Sequence, residues 1–123
     1  MGFLNDDKKE KLNAFVKFVK EQLELKTVPT ISIKSNRDGL KTTANYDYTK
    51  ENKIIKVYGK NRALVDIMRS VAHEMVHHKQ FEQGRLGGPK PPDIGGEIED
   101  EANAKAGQYI KMFAKENQTI YED

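Results

Sequence analysis

The stretch SVAHEMVHHKQ, residues 70–80, contains two histidines four positions apart, with a glutamate directly after the first. Apolar residues recur around it at helical spacing and predict one long helix over residues 62–83. Side chains four residues apart share one face of a helix, so His73 and His77 can direct ring nitrogens at one metal ion. Glu74 lies at the edge of that face, within reach of a water molecule on the metal. The stretch therefore predicts a helix that carries a metal site.

The pattern H-E-x-x-H in HEMVH, residues 73–77, is typical of zinc sites that hydrolyse amide bonds. Zinc lowers the pKa of a bound water, and a neighbouring glutamate can take its proton as general base. A catalytic zinc has three protein ligands and one open position. His78 is the last histidine of the chain, so a carboxylate must supply the third ligand. His78 itself lies about 100° around the helix from His77, and we expect it to pack rather than to bind metal.

Acidic residues at the start of the last predicted helix can supply the missing ligand. Such a cluster also complements the positive end of the helix dipole, so we expect at least two of its members to serve only that purpose. The spacing alone leaves open which member binds metal. The candidates are Glu97, Glu99, Asp100 and Glu101.

HEMVH, followed on a later helix by EDEAN at residues 99–103, resembles the glutamate zincins, or gluzincins. In several of their families the third zinc ligand opens an E-x-x-A-[DN] motif, which maps onto Glu99, Ala102 and Asn103. The resemblance implies that His73, His77 and Glu99 bind one Zn²⁺ per chain, with Glu101 and then Glu97 as alternatives for the third ligand. It also implies that Asn103 hydrogen-bonds a zinc-bound histidine. Asp is commoner at that position, which bears on how strongly the histidine is polarised.

The rest of the chain predicts a small α+β fold around the central helix. Apolar periodicity predicts an amphipathic helix over residues 6–25 and a last helix over residues 97–115. Between residues 30 and 58 the segments TISIKS, LKTTANYDYT and IIKVYG predict a mostly antiparallel sheet of three strands. Residues 84–96, rich in glycine and proline, predict a surface loop. We therefore expect a single domain that spans residues 1–123.

The order of these elements resembles the smallest gluzincins, sometimes called minigluzincins, and small metallopeptidases of phages and mobile elements. The resemblance covers residues 54 to about 113 and implies a zincin-like domain. It implies that the strand IIKVYG, residues 54–59, is the edge strand that borders the cleft and holds an extended peptide. The implied activity is that of a zinc endopeptidase with Glu74 as general base. The alternative is a non-catalytic, zinc-stabilised module that binds a peptide or protein.

Composition excludes several other classes of protein. The chain of 123 residues has no cysteine, which excludes disulfides, thiolate zinc sites and cysteine nucleophiles. Its 21 basic and 19 acidic residues are too evenly matched to predict binding to nucleic acid or to an anionic membrane. No apolar run has the length of a signal peptide or a membrane span. We therefore expect a cytoplasmic monomer that acts on a peptide or protein substrate.

Further residues are candidates for supporting roles near the predicted metal. Asp66 and Ser70 share the helix face of His73, so each is expected either to line the cleft or to be solvated. Peptide hydrolysis also requires a hydrogen-bond donor for the developing oxyanion. The sequence does not choose among the candidates for that donor, which are Tyr58, Tyr109, Tyr121 and Arg85.

Overall fold

The computed structural model describes residues 6–35, 44–47, 53–60, 62–85 and 96–117, which form a small α+β domain. The three predicted helices are confirmed, and each end lies within two residues of its predicted position. Most of the predicted loop lies outside the described residues, as does Tyr121. Within the described ranges, no helix combines the length and the apolar character that crossing a membrane requires. The elements are α1 (Asp6–Leu23), β1 (Thr30–Lys34), β2 (Ala44–Asp47), β3 (Ile54–Tyr58), α2 (Leu64–Glu82) and α3 (Gly96–Ala114).

The sheet is mixed, with strand order β1-β3-β2. Strand β1 runs parallel to β3, with Ile33 opposite Val57, whereas β2 runs antiparallel to β3, with Tyr46 opposite Ile55. The prediction of a mostly antiparallel sheet is therefore wrong for β1. Strand β3 carries two side chains with no exposed surface, Ile55 and Val57, and the middle of the sheet is the position that buries both. With β3 in the middle, β1 and β2 cannot pair with each other.

The central place of β3 also corrects the expectation that IIKVYG forms the edge strand. The outer strands are β1 and β2, and β2 packs against α2. Its Tyr46 is buried, and the Tyr46 hydroxyl lies 2.5 Å from Nδ1 of His78 on α2. A polar contact as well as apolar packing therefore fixes the outer strand to the central helix.

Helix α2 is the centre of the fold because it packs against α1, α3, β2 and β3. Neighbours on several sides bury most of its circumference, and each large apolar side chain removed from water stabilises the fold by about 1.5–3 kcal/mol. The helix ends at Glu82, one residue before its predicted end, and Gly84 just beyond it has a φ of +77°, a left-handed conformation that favours glycine. The apolar side chains of α2 that have no exposed surface are Ile67, Met68, Val71, Ala72 and Met75.

His78 lies on the side of α2 that faces β2 and the α1–β1 connection, as predicted for a packing residue. It is 1% exposed, and its Nε2 lies 3.1 Å from the carbonyl oxygen of Thr27 and 3.0 Å from the Thr27 hydroxyl. Burial lowers the pKa of His78 against the opposing influence of Glu82, which favours the neutral ring. A neutral ring can donate from Nε2 to Thr27 and accept the Tyr46 hydroxyl proton at Nδ1. His78 therefore joins three parts of the fold.

Glu82, at the end of α2, holds the α1–β1 connection by hydrogen bonds. Its carboxylate oxygens accept the backbone N–H groups of Lys26 and Thr27, each at 3.0 Å, and the Thr27 hydroxyl at 3.1 Å. Burial opposes the charge, but the hydrogen bonds from Lys26 and Thr27 outweigh burial and lower the pKa of Glu82. The ionised carboxylate therefore contributes to the stability of the fold.

We predict that Glu82→Gln lowers the free energy of unfolding by about 2 kcal/mol at neutral pH, because hydrogen bonds to charged groups contribute about 1.5–3 kcal/mol. The folded-state pKa of Glu82 is depressed, so its contribution is present above pH 4.5 and is lost as pH falls through the folded value. The free energies of unfolding of Glu82→Gln and the wild type, measured with urea, should therefore differ at neutral pH and converge in acid. The control Glu21→Gln, exposed on α1, should leave stability unchanged. Equal stability of Glu82→Gln and the wild type at neutral pH would contradict this role.

Candidate metal centre

Two helices bring three potential metal ligands together. Nε2 of His73 lies 3.1 Å from Nε2 of His77, both on α2. Glu99 lies on α3. One oxygen of its carboxylate lies 3.1 Å from Nε2 of His73, and the other oxygen lies 3.1 Å from Nε2 of His77. All the potential ligand atoms lie within 4.8 Å of one another. The group could therefore hold a metal ion.

The close approach of α3 to α2 follows from small side chains in the helix interface. Ala102 and Ala106 lie one turn apart on α3, and both are buried. Glu99 lies one turn before Ala102, so packing of these alanines carries the Glu99 carboxylate to the histidines. The i, i+4 spacing of the histidines and the packing of the helices together form the group.

The other acidic residues at the start of α3 lie outside this group. Glu97 and Asp100 are exposed. Glu101 accepts hydrogen bonds from Gln80 Nε2 and from the Arg85 guanidinium, both at 2.8 Å. The hydrogen bond from Gln80, together with the hydrogen bond and charge of Arg85, lowers the pKa of Glu101. Of the four acidic candidates, only Glu99 is close to both histidines in the part of the chain that the structure describes.

Glu74 is buried in the wall of the pocket that contains the metal-ligand group. It is 8% exposed, and burial, together with the charge of Glu99, raises its pKa to about 8. A carboxyl group with a pKa near neutrality can both take up and release a proton under physiological conditions. Its position and its protonation behaviour therefore suit proton transfer.

Burial has the opposite effect on His73. Burial, with the nearby His77, lowers the pKa of His73, and Glu99 and a hydrogen bond with the Asn103 side chain only partly offset this. The neutral imidazole is the form that can coordinate a metal. The contact between Asn103 and His73 is the one that the gluzincin resemblance implied.

The pocket has a volume of about 570 Å³ and opens between β2 and the first half of α2. Asp66 and Ser70 both line it, and Asp66 is exposed while Ser70 is half-buried. Of the predicted oxyanion donors in the described residues, Tyr58, Tyr109 and Arg85, none is among its lining residues. Among the described residues, the lining is Ala44, Asn45, Tyr46, Arg62, Asp66, Arg69, Ser70, His73, Glu74, His77, Ile98, Glu99 and Asn103.

Two polar residues of the site have no counterpart in the sequence prediction. Arg62 reaches the pocket wall, where its guanidinium donates to the Ser70 hydroxyl at 2.9 Å and to a backbone carbonyl of β3 at 2.7 Å. Gln80 has no exposed surface and lies 2.7 Å from Nδ1 of His77. The spacing i, i+3 from His77 to Gln80 was a usable signal, because such residues share a helix face. The contacts of Arg62 depend on where the β3–α2 connection turns, which no local pattern indicates.

Comparison of the chain with known protein families, with curated proteins and with solved structures finds no match. The chemistry of the centre is therefore inferred from its own residues. These residues are two imidazoles and a carboxylate close enough to share one ion, with a buried carboxyl group beside them.

Proposed function

We propose that this chain is a zinc-dependent metallopeptidase of the gluzincin type. His73, His77 and Glu99 bind one Zn²⁺ per chain, and Glu74 is the general base. The observation that carries the proposal is the approach of the three ligand atoms to within 4.8 Å of one another in an open pocket whose wall includes Glu74. A purely structural site has no need of a buried carboxyl group with a raised pKa beside the ligands.

The spacing of the ligand atoms supports zinc. Tetrahedral zinc with bonds of about 2.0–2.1 Å separates its ligand atoms by roughly 3.3 Å. The two Nε2 atoms lie 3.1 Å apart, and each lies 3.1 Å from a different oxygen of the Glu99 carboxylate. Two imidazoles and one carboxylate are also a donor set of catalytic zinc sites, in which the fourth position stays open for water or substrate.

Proton transfer is the role of Glu74 in this proposal. Zinc, when bound, supplies a Lewis acid that activates water and polarises the carbonyl of the scissile peptide bond. Glu74 takes the proton of the attacking water and returns it to the amine of the leaving peptide. Positive charge bound by Glu99 would cancel the repulsion that helps to raise the pKa of Glu74. A bound cation would therefore favour the carboxylate form of Glu74, against the burial that is the larger cause of its raised pKa.

A peptide or protein substrate fits the shape and chemistry of the pocket. The cleft has room for several side chains, and strand β2 forms one wall through Asn45 and Tyr46. Arg62 and Arg69 also line the pocket. Backbone carbonyl groups of an extended peptide laid along β2 would lie near these positive charges. We therefore place the substrate between β2 and α2 instead of along β3.

We predict one zinc ion per chain in protein purified without a histidine tag, measured by elemental analysis, and less than about 0.2 per chain would refute the centre.

Glu99→Ala should weaken zinc binding by more than about 100-fold, since loss of a ligand should exceed the 10–100-fold effect of supporting residues. Competition with a chromophoric chelator measures this change. The exposed control Glu97→Ala should bind like the wild type. A larger loss in Glu101→Ala than in Glu99→Ala would move the third ligand to Glu101.

We predict that Glu74→Gln keeps its zinc but cleaves an unfolded protein substrate at least about 100-fold more slowly, because the amide cannot act as general base. The matched control is Glu97→Gln, which makes the same chemical change at an exposed position and should keep both zinc and activity. If zinc-loaded wild type cleaves neither unfolded protein nor a peptide library, the peptidase proposal fails. The chain would then be a zinc-stabilised module that binds a peptide or protein.

A further inference from the structure

Gln80 is a polar side chain with no exposed surface, and both ends of its amide have partners. Its Oε1 lies 2.7 Å from Nδ1 of His77. Its Nε2 donates to the carbonyl oxygen of Ile98 at 3.0 Å and to Glu101 at 2.8 Å. Gln80 therefore connects one proposed zinc ligand on α2 with the residue directly before another on α3.

The partners of the amide fix its orientation. The Ile98 carbonyl can only accept hydrogen bonds. The Glu101 oxygen that Gln80 contacts is also an acceptor, because the Arg85 guanidinium, which can only donate, lies 2.8 Å from the same oxygen. Turning the amide over would place Oε1 against both acceptors and leave the NH₂ group towards His77. The observed orientation is therefore the one that satisfies all three partners.

This orientation determines which nitrogen of His77 carries the proton. An amide oxygen can only accept, so Nδ1 of His77 must donate to Oε1 of Gln80. In a neutral imidazole with its proton on Nδ1, the lone pair is on Nε2. Nε2 of His77 is the atom that lies 3.1 Å from both His73 and Glu99. The amide of Gln80 thus directs the lone pair of His77 into the group of ligands.

The second end of the amide acts on α3. Its bond to the Ile98 carbonyl holds the first turn of α3 against α2, one residue before Glu99. Arg85, just beyond the end of α2, donates at 2.8 Å to the same Glu101 oxygen that Gln80 contacts. The first turn of α3 is thus tied to α2 by direct hydrogen bonds and by the ion pair between Arg85 and Glu101.

We infer that Gln80 is the positioning residue of this centre, which sets the tautomer of His77 and holds Glu99 within reach of the same ion. The inference rests on the proposed zinc site and adds to it. Asn103 supports His73, and Gln80 has the corresponding role for His77. Gln80 binds neither metal nor substrate itself but acts through His77 and the first turn of α3.

The direct test is the tautomer of His77 in the metal-free wild type, read from a long-range ¹H–¹⁵N correlation spectrum at a pH at which the ring is neutral. We expect the proton on Nδ1. A ring with its proton on Nε2 would overturn the inference. This measurement requires no variant and remains decisive if substitution of a buried glutamine prevents folding.

The second test is zinc affinity, measured by chelator competition. Gln80→Met keeps the length of the side chain but removes the acceptor, and it should weaken binding by about 10–100-fold. The control Gln108→Met makes the same change at an exposed position of α3 and should bind like the wild type.

The outcomes separate this inference from the proposed function. If the wild type binds no zinc, the proposed function itself fails. If the wild type binds one zinc and folded Gln80→Met binds it equally well, only the role of Gln80 is overturned.

Discussion

The contact between α2 and α3 is the constraint on which the candidate centre depends. His73 and His77 are placed by one helix, but two imidazoles alone leave a metal ion incompletely held. Glu99 completes the group because Ala102 and Ala106 let α3 lie close against α2 and because Gln80 reaches the backbone of the first turn of α3. A change that separates the helices would therefore remove the third ligand without touching any ligand residue.

Burial determines the electrostatic character of this arrangement. Desolvation raises the pKa of Glu74 and lowers that of His73, so the site favours neutral forms of both groups. Two carboxyl groups and two imidazoles in one pocket then lack a compensating positive charge. A divalent cation between them would supply it, and the same burial that disfavours isolated charges would strengthen its attraction to the carboxylates. The environment thus suits metal binding as well as the geometry does.

Local patterns were sufficient to predict the parts of the fold that local geometry determines. The helical periods located all three helices, and the i, i+4 rule placed His73 and His77 together and turned His78 away from them. The antiparallel pairing of β1 and the edge position of β3 were predicted incorrectly, because strand pairing depends on contacts between distant parts of the chain. Ile55 and Val57 have no exposed surface on the central strand, and β3 packs against α2, which no turn signal between strands reveals.

The two neighbouring histidines of α2 show how far such local reasoning extends. His77 and His78 differ by one position, yet one faces α3 and the pocket, and the other faces Tyr46 and Thr27. The helical angle between them predicts that division. It does not predict the partners that come from distant parts of the chain, which are Tyr46 and Thr27 for His78 and Glu99 for His77. Because those partners hold both rings, the helix that carries the candidate centre is also the helix that holds the sheet in place. Function and folding of α2 are thus coupled through adjacent residues, and a substitution at either histidine acts on both.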